Sequence, residues 1–209
     1  MRTGKPLKKN PIDETWDVII IGSGMGALTT GALLAKDAGK RVLLLEQHYT
    51  AGGFMHAFTR PGYEWDVGVH YVGEITNPGG LGQILDHVTD GAVTWADLGE
   101  VYDEVVVAGD RYQFVRGRQA WRDRMCAYFP GDVAAIDRYM AELSKLFVAS
   151  RLYFGDKVLP MVASRVVGPA LRAPMMRISR PTVHDVLSGV TSNERLRAVL
   201  AGQWGDYGL

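Results

Sequence analysis

Residues 17–53 read DVIIIGSGMGALTTGALLAKDAGKRVLLLEQHYTAGG, and this stretch decides the fold. Val18 to Ile21 form a continuous apolar run of mostly β-branched residues. Such a run without polar alternation predicts a strand buried on both faces. Gly22, Gly24 and Gly26 follow at once, with Ala27 beside them. A helix-period segment comes next, in which Leu28, Leu33, Leu34 and Ala38 can share one side. Gly39 stands where a helix ends in a left-handed residue. A second apolar strand, 41–45, ends at Glu46. The order is strand, glycine turn, helix, strand, with an acid at the tip.

The chemistry of that order is specific. Gly22 permits a tight turn off the strand, and Gly24 carries no Cβ to keep a diphosphate from the backbone. Ala27, in the third place, is small enough for the helix to pack on the sheet. The helix N-terminus then presents unpaired N–H groups and its positive dipole end to phosphate. Glu46, twenty residues past Gly26, stands where a carboxylate can accept hydrogen bonds from both hydroxyls of a ribose. The plainer reading, a glycine turn that only starts a buried helix, explains neither the acid nor its spacing. The fold class is therefore α/β, built on a Rossmann-like βαβ unit. The residues alone allow NAD or FAD, and the acid argues against the phosphorylated ribose of NADP.

The rest of the composition narrows the field. The chain has 209 residues, 47% of them apolar, and a formal charge of zero. A neutral balance gives no support to nucleic-acid binding, which needs a basic face. One cysteine, Cys126, excludes an internal disulfide framework and a cysteine-ligated metal site, and a packing thiol is its expected role. The five histidines show no metal-ligand spacing; His48 and His56, eight apart across glycines, cannot share a helix face. No metal is expected. The N-terminal stretch is polar, with Arg2, Lys5, Lys8 and Lys9 in a solvated tail, and has no apolar core of a secretory signal. No apolar run approaches a membrane span. A cytoplasmic chain is expected, with peripheral membrane contact as its one link to a bilayer.

Past Glu46, Gly52-Gly53 forms a doublet where backbone could approach a ligand or simply turn. HAFTR (56–60) and YEWDV (63–67) read as two strands joined by Pro61-Gly62. With these residues in view, IGSGMGALTTGALLA, LLLEQHYTAGG, the H-x-F of His56 to Phe58 and the DVGVHY of Asp66 to Tyr71 resemble the start of the retinol saturase-like flavoproteins. That group lies within the wider phytoene desaturase and carotenoid isomerase superfamily. The closing AGQWGDYG, 201–208, resembles a further segment of the same group.

The resemblance implies FAD in preference to NAD, with the glycine doublet along the ribityl-diphosphate. The implied cofactor contacts are Gly22, Ser23, Gly24, Gly26 and Ala27 in the turn, Glu46 and Gln47 at the strand tip, and Gly52, Gly53, Met55 and His56 beyond it. His70 or Tyr71 would orient substrate or relay a proton, although a histidine among aromatics often has only a structural role. The implied reaction is on a C=C bond of a retinoid, carotenoid or other isoprenoid-like lipid, with saturation favoured over desaturation. An apolar polyene or lipid is thus the implied substrate. The resemblance also implies that a C-terminal half, absent from this sequence or carried by a partner chain, completes the parallel sheet. A nucleotide-binding chain that cannot turn over by itself, and an NAD-dependent dehydrogenase, are the alternatives.

The remaining sequence is expected to be helical around a β-hairpin. GGLGQILDHVTD (79–90) predicts a helix with Leu81, Ile84, Leu85 and Val88 on one face. Residues 102–108 and 111–115 predict a hairpin around Gly109-Asp110. A long helix from Val133 to about Phe154 should bury Ile136, Tyr139, Met140, Leu143 and Phe147. Between Arg151 and Arg180, arginines alternate with apolar residues, and Gly168, Pro169 and Pro174 should interrupt any single helix. A surface over 160–180 of that composition suits a bilayer interface; a packed connector with solvated arginines is the other reading. Two short helices close the chain, the second with Thr191-Ser192-Asn193-Glu194 as capping box and Leu196, Val199 and Leu200 packing inward. The expected division is a flexible tail (1–15), the N-terminal part of a nucleotide-binding domain (16–80), and a partial substrate domain (81–209).

Overall fold

A computed structural model describes residues 4–12, 14–73, 75–76 and 80–206. The expectations for Arg2, Gly79 and the end of the closing motif (Tyr207, Gly208) lie outside the described residues. The chain divides into two compact units, Met1–Ala96 and Asp97–Leu209.

In the first unit, β1 (Val18–Ile21) and β2 (Val42–Leu45) pair in parallel, in the register Val18↔Val42 to Ile21↔Leu45. The helix α1 (Met25–Ala38) connects them, ending at Gly39 with φ 61° as the glycine predicts. It approaches the sheet most closely at Gly31, where a Cβ would meet the Ile20 and Val42 side chains at 3.4 and 3.7 Å. Leu28 and Ala38 turn outward instead, so the packed face is centred one residue class away from the expected one. The expectation of a doubly buried β1 is also corrected. Val18 and Ile20 are half-buried under α1, while Ile19 and Ile21 are 59% and 87% exposed. One helix covers one face of a two-stranded sheet, and the alternation of a strand sends every second side chain away from it.

The hairpin of β3 (Ala57–Arg60) and β4 (Tyr63–Asp66) forms as expected, with Phe58 stacked on Trp65 at 5.5 Å. Pro61 supplies a fixed φ and Gly62 the positive one (81°). The helix α2 (Leu81–Thr89), which the sequence reading assigned to the second domain, is bonded to the end of α1: His87 Nε2 lies 2.8 Å from Asp37 Oδ1, and Lys36 reaches both Asp90 and the His87 carbonyl.

The second unit opens with the hairpin β5 (Val101–Val107) and β6 (Asp110–Val115). Its turn is Ala108-Gly109, one residue before the expected position, with Val107 paired to Asp110. Both turn residues take positive φ (52° and 90°), the geometry that matches strand twist in a two-residue connection. Its core joins Tyr112 and Phe114 of β6 with Met125 and Phe129 from and just after α3 (Arg118–Tyr128), Ile136 of α4 (Val133–Lys157), Leu187 and Val190 of α6 (Val183–Val190), and Leu196, Val199 and Leu200 of α7 (Glu194–Leu200). Asp132 holds the joint between α6 and α7, accepting from Thr191 Oγ1 at 3.0 Å and Asn193 Nδ2 at 2.8 Å. Leu196 is fully buried, so Leu196→Ala is expected to cost about 2–5 kcal/mol, read as a lower urea midpoint at unchanged slope.

Three expectations for this unit are corrected. In α4 the expected stripe is buried only as far as Met140, and Leu143 and Phe147 are exposed, because past Met140 the helix leaves the core and buries Ala149 and Asp156 instead. Residues Met161–Ile178 form one helix, α5, that runs through both Pro169 and Pro174. Each proline removes one helical bond, but packing of α5 on α4 and a buried carboxylate hold the segment together. Asp156 of α4 accepts from Ser164 Oγ and Arg172 Nη1, both at 2.7 Å, beside Gly168, where a Cβ would meet its Oδ1 at 2.5 Å. The cap of α7 is Asn193, whose side chain accepts from the amides of Arg195 and Leu196. The full capping box sits on α6, between Thr182 and Asp185, while the Thr191 hydroxyl donates to Asp132 and accepts from the Asn193 amide.

A candidate dinucleotide site at the end of β1

The site grows out of the β1–β2 register. Opposing Ile21 to Leu45 places the residues just past both strand ends side by side, and Gly22 N–H donates to Leu45 O at 2.7 Å. Gly22 then turns the chain with φ 92°, a conformation that suits glycine. Ser23, wholly buried, becomes the hub. Its amide donates to Glu46 Oε2 at 2.8 Å, and its hydroxyl donates to the same oxygen. The amide of Gly52 approaches both the hydroxyl (3.2 Å) and the carbonyl (3.1 Å) of Ser23. The loop after β2 is thereby drawn alongside the glycine turn as a short parallel bridge, Gly24 to Gly52.

The second glycine pair is needed for that approach. Gly53 has φ 59°, and a Cβ on it would lie 2.9 Å from the Gly24 Cα. Gly24 and Gly26 differ: a Cβ on either would meet nothing within 4 Å. Packing therefore gives no reason for glycine at those two positions, whereas close approach of a diphosphate does. No side chain caps α1, so the amides of its first turn, which an α-helix leaves unpaired internally, face the same space. A cradle that a Cβ would fill, beside a helix N-terminus and a tethered acid, fits a dinucleotide.

Glu46 is ionised under any physiological condition. The Ser23 hydroxyl first, then the His48 amide and the Ser23 amide, bring its pKa from 4.5 down to about 2. Two of these bonds fall on Oε2 and one, from His48 N at 2.8 Å, on Oε1. A carboxylate has about four lone-pair sites, so a half-exposed Glu46 retains room for a hydroxyl donor.

The fold thus brings Gly22, Ser23, Gly24, Gly26, Ala27, Glu46, Gln47, Gly52 and Gly53 to one place. Met55 and His56 follow through the doublet: Met55 N–H donates to Gly52 O at 3.1 Å, and His56 Nδ1 lies 2.7 Å from Gly53 O. Although no helix face could hold them, the loop sets the His48 and His56 rings 4.9 Å apart, with Tyr49 against His48. Among the described residues no group of three or more His, Cys, Asp or Glu could hold a metal ion. His70 and Tyr71 follow Gly68, which packs on Phe54, and their rings meet edge-on at 5.8 Å. The structural role of Ser23 escaped the sequence reading, yet the signal was present: continuing the strand register past Ile21↔Leu45 sets 22–23 against 46–47.

Residues 20–87 match the model of an NAD(P)-binding Rossmann-like domain. The chain is 37% identical over 205 residues to the all-trans-retinol 13,14-reductase of Danio rerio, a match that covers 94% of this chain and 34% of that protein. An inactive all-trans-retinol 13,14-reductase of the same species is 33% identical, with the same coverage of both. Prolycopene isomerase 2 of an Oncidium hybrid cultivar is 30% identical over 141 residues, covering 64% of this chain and 23% of that protein. The chain spans about a third of the length of the reductases it matches. The glycine turn with its tethered acid and these matches together make the chain similar, over nearly all of its own length, to part of the all-trans-retinol 13,14-reductases, with an NAD(P)-binding Rossmann-like domain over residues 20–87.

Proposed function

We propose that this chain is the nucleotide-binding part of an FAD-dependent oxidoreductase acting on a C=C bond of a retinoid, carotenoid or other isoprenoid-like lipid. The observation that carries the reading is Ser23 holding both Glu46 and Gly52 beside open space at Gly24 and Gly26. The names of the similar reductases and isomerase support the polyene substrate. In this reading Gly22 to Ala27 receive the diphosphate, Glu46 holds the adenosine ribose, and Gly52, Gly53, Met55 and His56 line the path toward the redox ring. When bound, FAD supplies the two-electron chemistry at its isoalloxazine, and the chain positions it and keeps water out.

Expression of the 209-residue chain tests the cofactor. Flavin absorbance that co-purifies and is released on denaturation supports FAD. A colourless chain that binds NAD instead overturns it in favour of a dehydrogenase. His70 and Tyr71 are assigned to substrate orientation or proton delivery. With the full-length reductase context supplied, Tyr71→Phe or His70→Ala is expected to lower kcat by about a hundredfold at unchanged flavin content. An unchanged kcat in both removes them from the mechanism.

A further inference from the structure

We propose that one face of the β3–β4 hairpin, carrying Phe58, Arg60, Tyr63 and Trp65, is the platform on which a polyene lies, with Arg60 donating to an oxygen at its end. The register pairs Phe58 with Trp65 and Arg60 with Tyr63. Strand alternation puts these four side chains on one face and Ala57, Thr59, Glu64 and Asp66 on the other. The three rings form a continuous stack. Phe58 lies 5.5 Å from Trp65 and Trp65 lies 5.4 Å from Tyr63, with interplanar angles of 23° and 18°. The stack is nevertheless open, with Trp65 44% and Tyr63 69% exposed. Aromatics bared together on one face mark an interaction surface, and a two-stranded hairpin by itself is only marginally stable until something covers it.

Charge and position select the occupant. Arg60 sits over the Phe58 ring at 5.5 Å, and its Nη1 donates to the neighbouring Thr59 carbonyl at 3.0 Å. Among the described residues it forms no ion pair, so N–H groups remain to meet an oxygen beside the aromatic row. An apolar protein surface laid on this face would bury that cation without a partner. A polyene ending in a hydroxyl or carboxylate suits both features. Rings stacked side by side turn their edges outward, and these electropositive edges meet the π-electrons of a conjugated chain. The hairpin is also tied to the glycine doublet. β3 begins at the residue after His56, Val67 N–H donates to His56 O at 3.1 Å, and His56 Nδ1 lies 2.7 Å from Gly53 O. Phe54, between doublet and hairpin, is 83% exposed and carries the bared aromatics back toward the doublet. The platform thus continues the loop assigned to the cofactor path.

This inference rests on the polyene reading of the substrate. The test is equilibrium dialysis of the 209-residue chain against all-trans-retinol, retinoic acid and the hydrocarbon anhydroretinol, with flavin content and thermal unfolding measured alongside. Binding is expected to be tightest for the acid, then the alcohol, then the hydrocarbon. Tyr63→Ser with Trp65→Ser should weaken all three by about tenfold, while Tyr63→Phe with Trp65→Phe keeps the parent affinity. Arg60→Ala should weaken the acid and the alcohol by about tenfold and leave the hydrocarbon nearly unchanged. Should the serine pair lower the melting midpoint, the contrast between acid and hydrocarbon in Arg60→Ala decides alone. Polyene binding that none of these variants alters overturns the platform and leaves the polyene reading standing. No polyene binding by the parent chain overturns both. A dimer that the serine pair dissolves, without polyene binding, overturns the platform in favour of a second copy. Polyene binding that depends on these residues in a chain without flavin supports the platform and counts against the cofactor alone.

Discussion

Alanine at position 24 is expected to leave the chain folded and to destroy nucleotide binding. Gly24 has φ −63° and ψ 166°, a conformation open to any residue, and its added Cβ would touch nothing within 4 Å. Removing glycine from such a place stabilises a chain by about 0.4–1 kcal/mol, because the unfolded state loses freedom. The same methyl occupies the space through which a diphosphate would reach the α1 amides. Affinity for the dinucleotide should fall by about a hundredfold, equivalent to ~2.8 kcal/mol, while the unfolding midpoint stays level or rises. Gly53→Ala is the contrasting variant. There φ is 59° and the new Cβ would lie 2.9 Å from Gly24 Cα, so stability and binding should fall together. Fluorescence titration with FAD alongside thermal unfolding separates the two. Full nucleotide affinity in Gly24→Ala would remove the diphosphate from this turn.

The second large effect is expected at Glu46. Its folded pKa of about 2 lies below the ordinary 4.5, so ionisation favours the folded state. That contribution is fully present above 4.5 and is lost as the pH falls through about 2. Glu46→Gln removes the charge, and its stability should show no matching decline across this acid window. Ser23→Ala removes the largest cause of the shift and should move the decline upward toward 4.5. At neutral pH, Glu46→Gln should also weaken dinucleotide binding by about tenfold, the scale of one lost charge-assisted hydrogen bond. Melting curves from neutral to acid pH, paired with FAD titrations, check both parts. An acid profile in Glu46→Gln that matches the parent would place the titration elsewhere.

Local chemistry was legible wherever a residue acts through its own backbone. Gly22 and Gly39 turn where their positions predict, Pro61-Gly62 closes its hairpin, and the apolar period of 81–89 forms α2. The glycine turn, the helix and the acid at the strand tip were readable because their spacing along the chain is itself the signal. The errors share a different cause. Ile19 and Ile21 were expected under cover, Leu143 and Phe147 in a core, and α5 in pieces at its prolines. In each case the pattern states what a side chain prefers, while its neighbours decide what it meets.

The sequence alone therefore determined that residues 17–46 make a βαβ unit with an acid beside a glycine turn, since propensity, turn geometry and spacing are local properties. Only the tertiary structure decided that buried Ser23 clasps Glu46 to Gly52, that α5 runs through two prolines against Asp156, and that Leu143 and Phe147 of α4 stand exposed. Those facts depend on contacts between residues far apart in the chain, and packing, not periodicity, selects them.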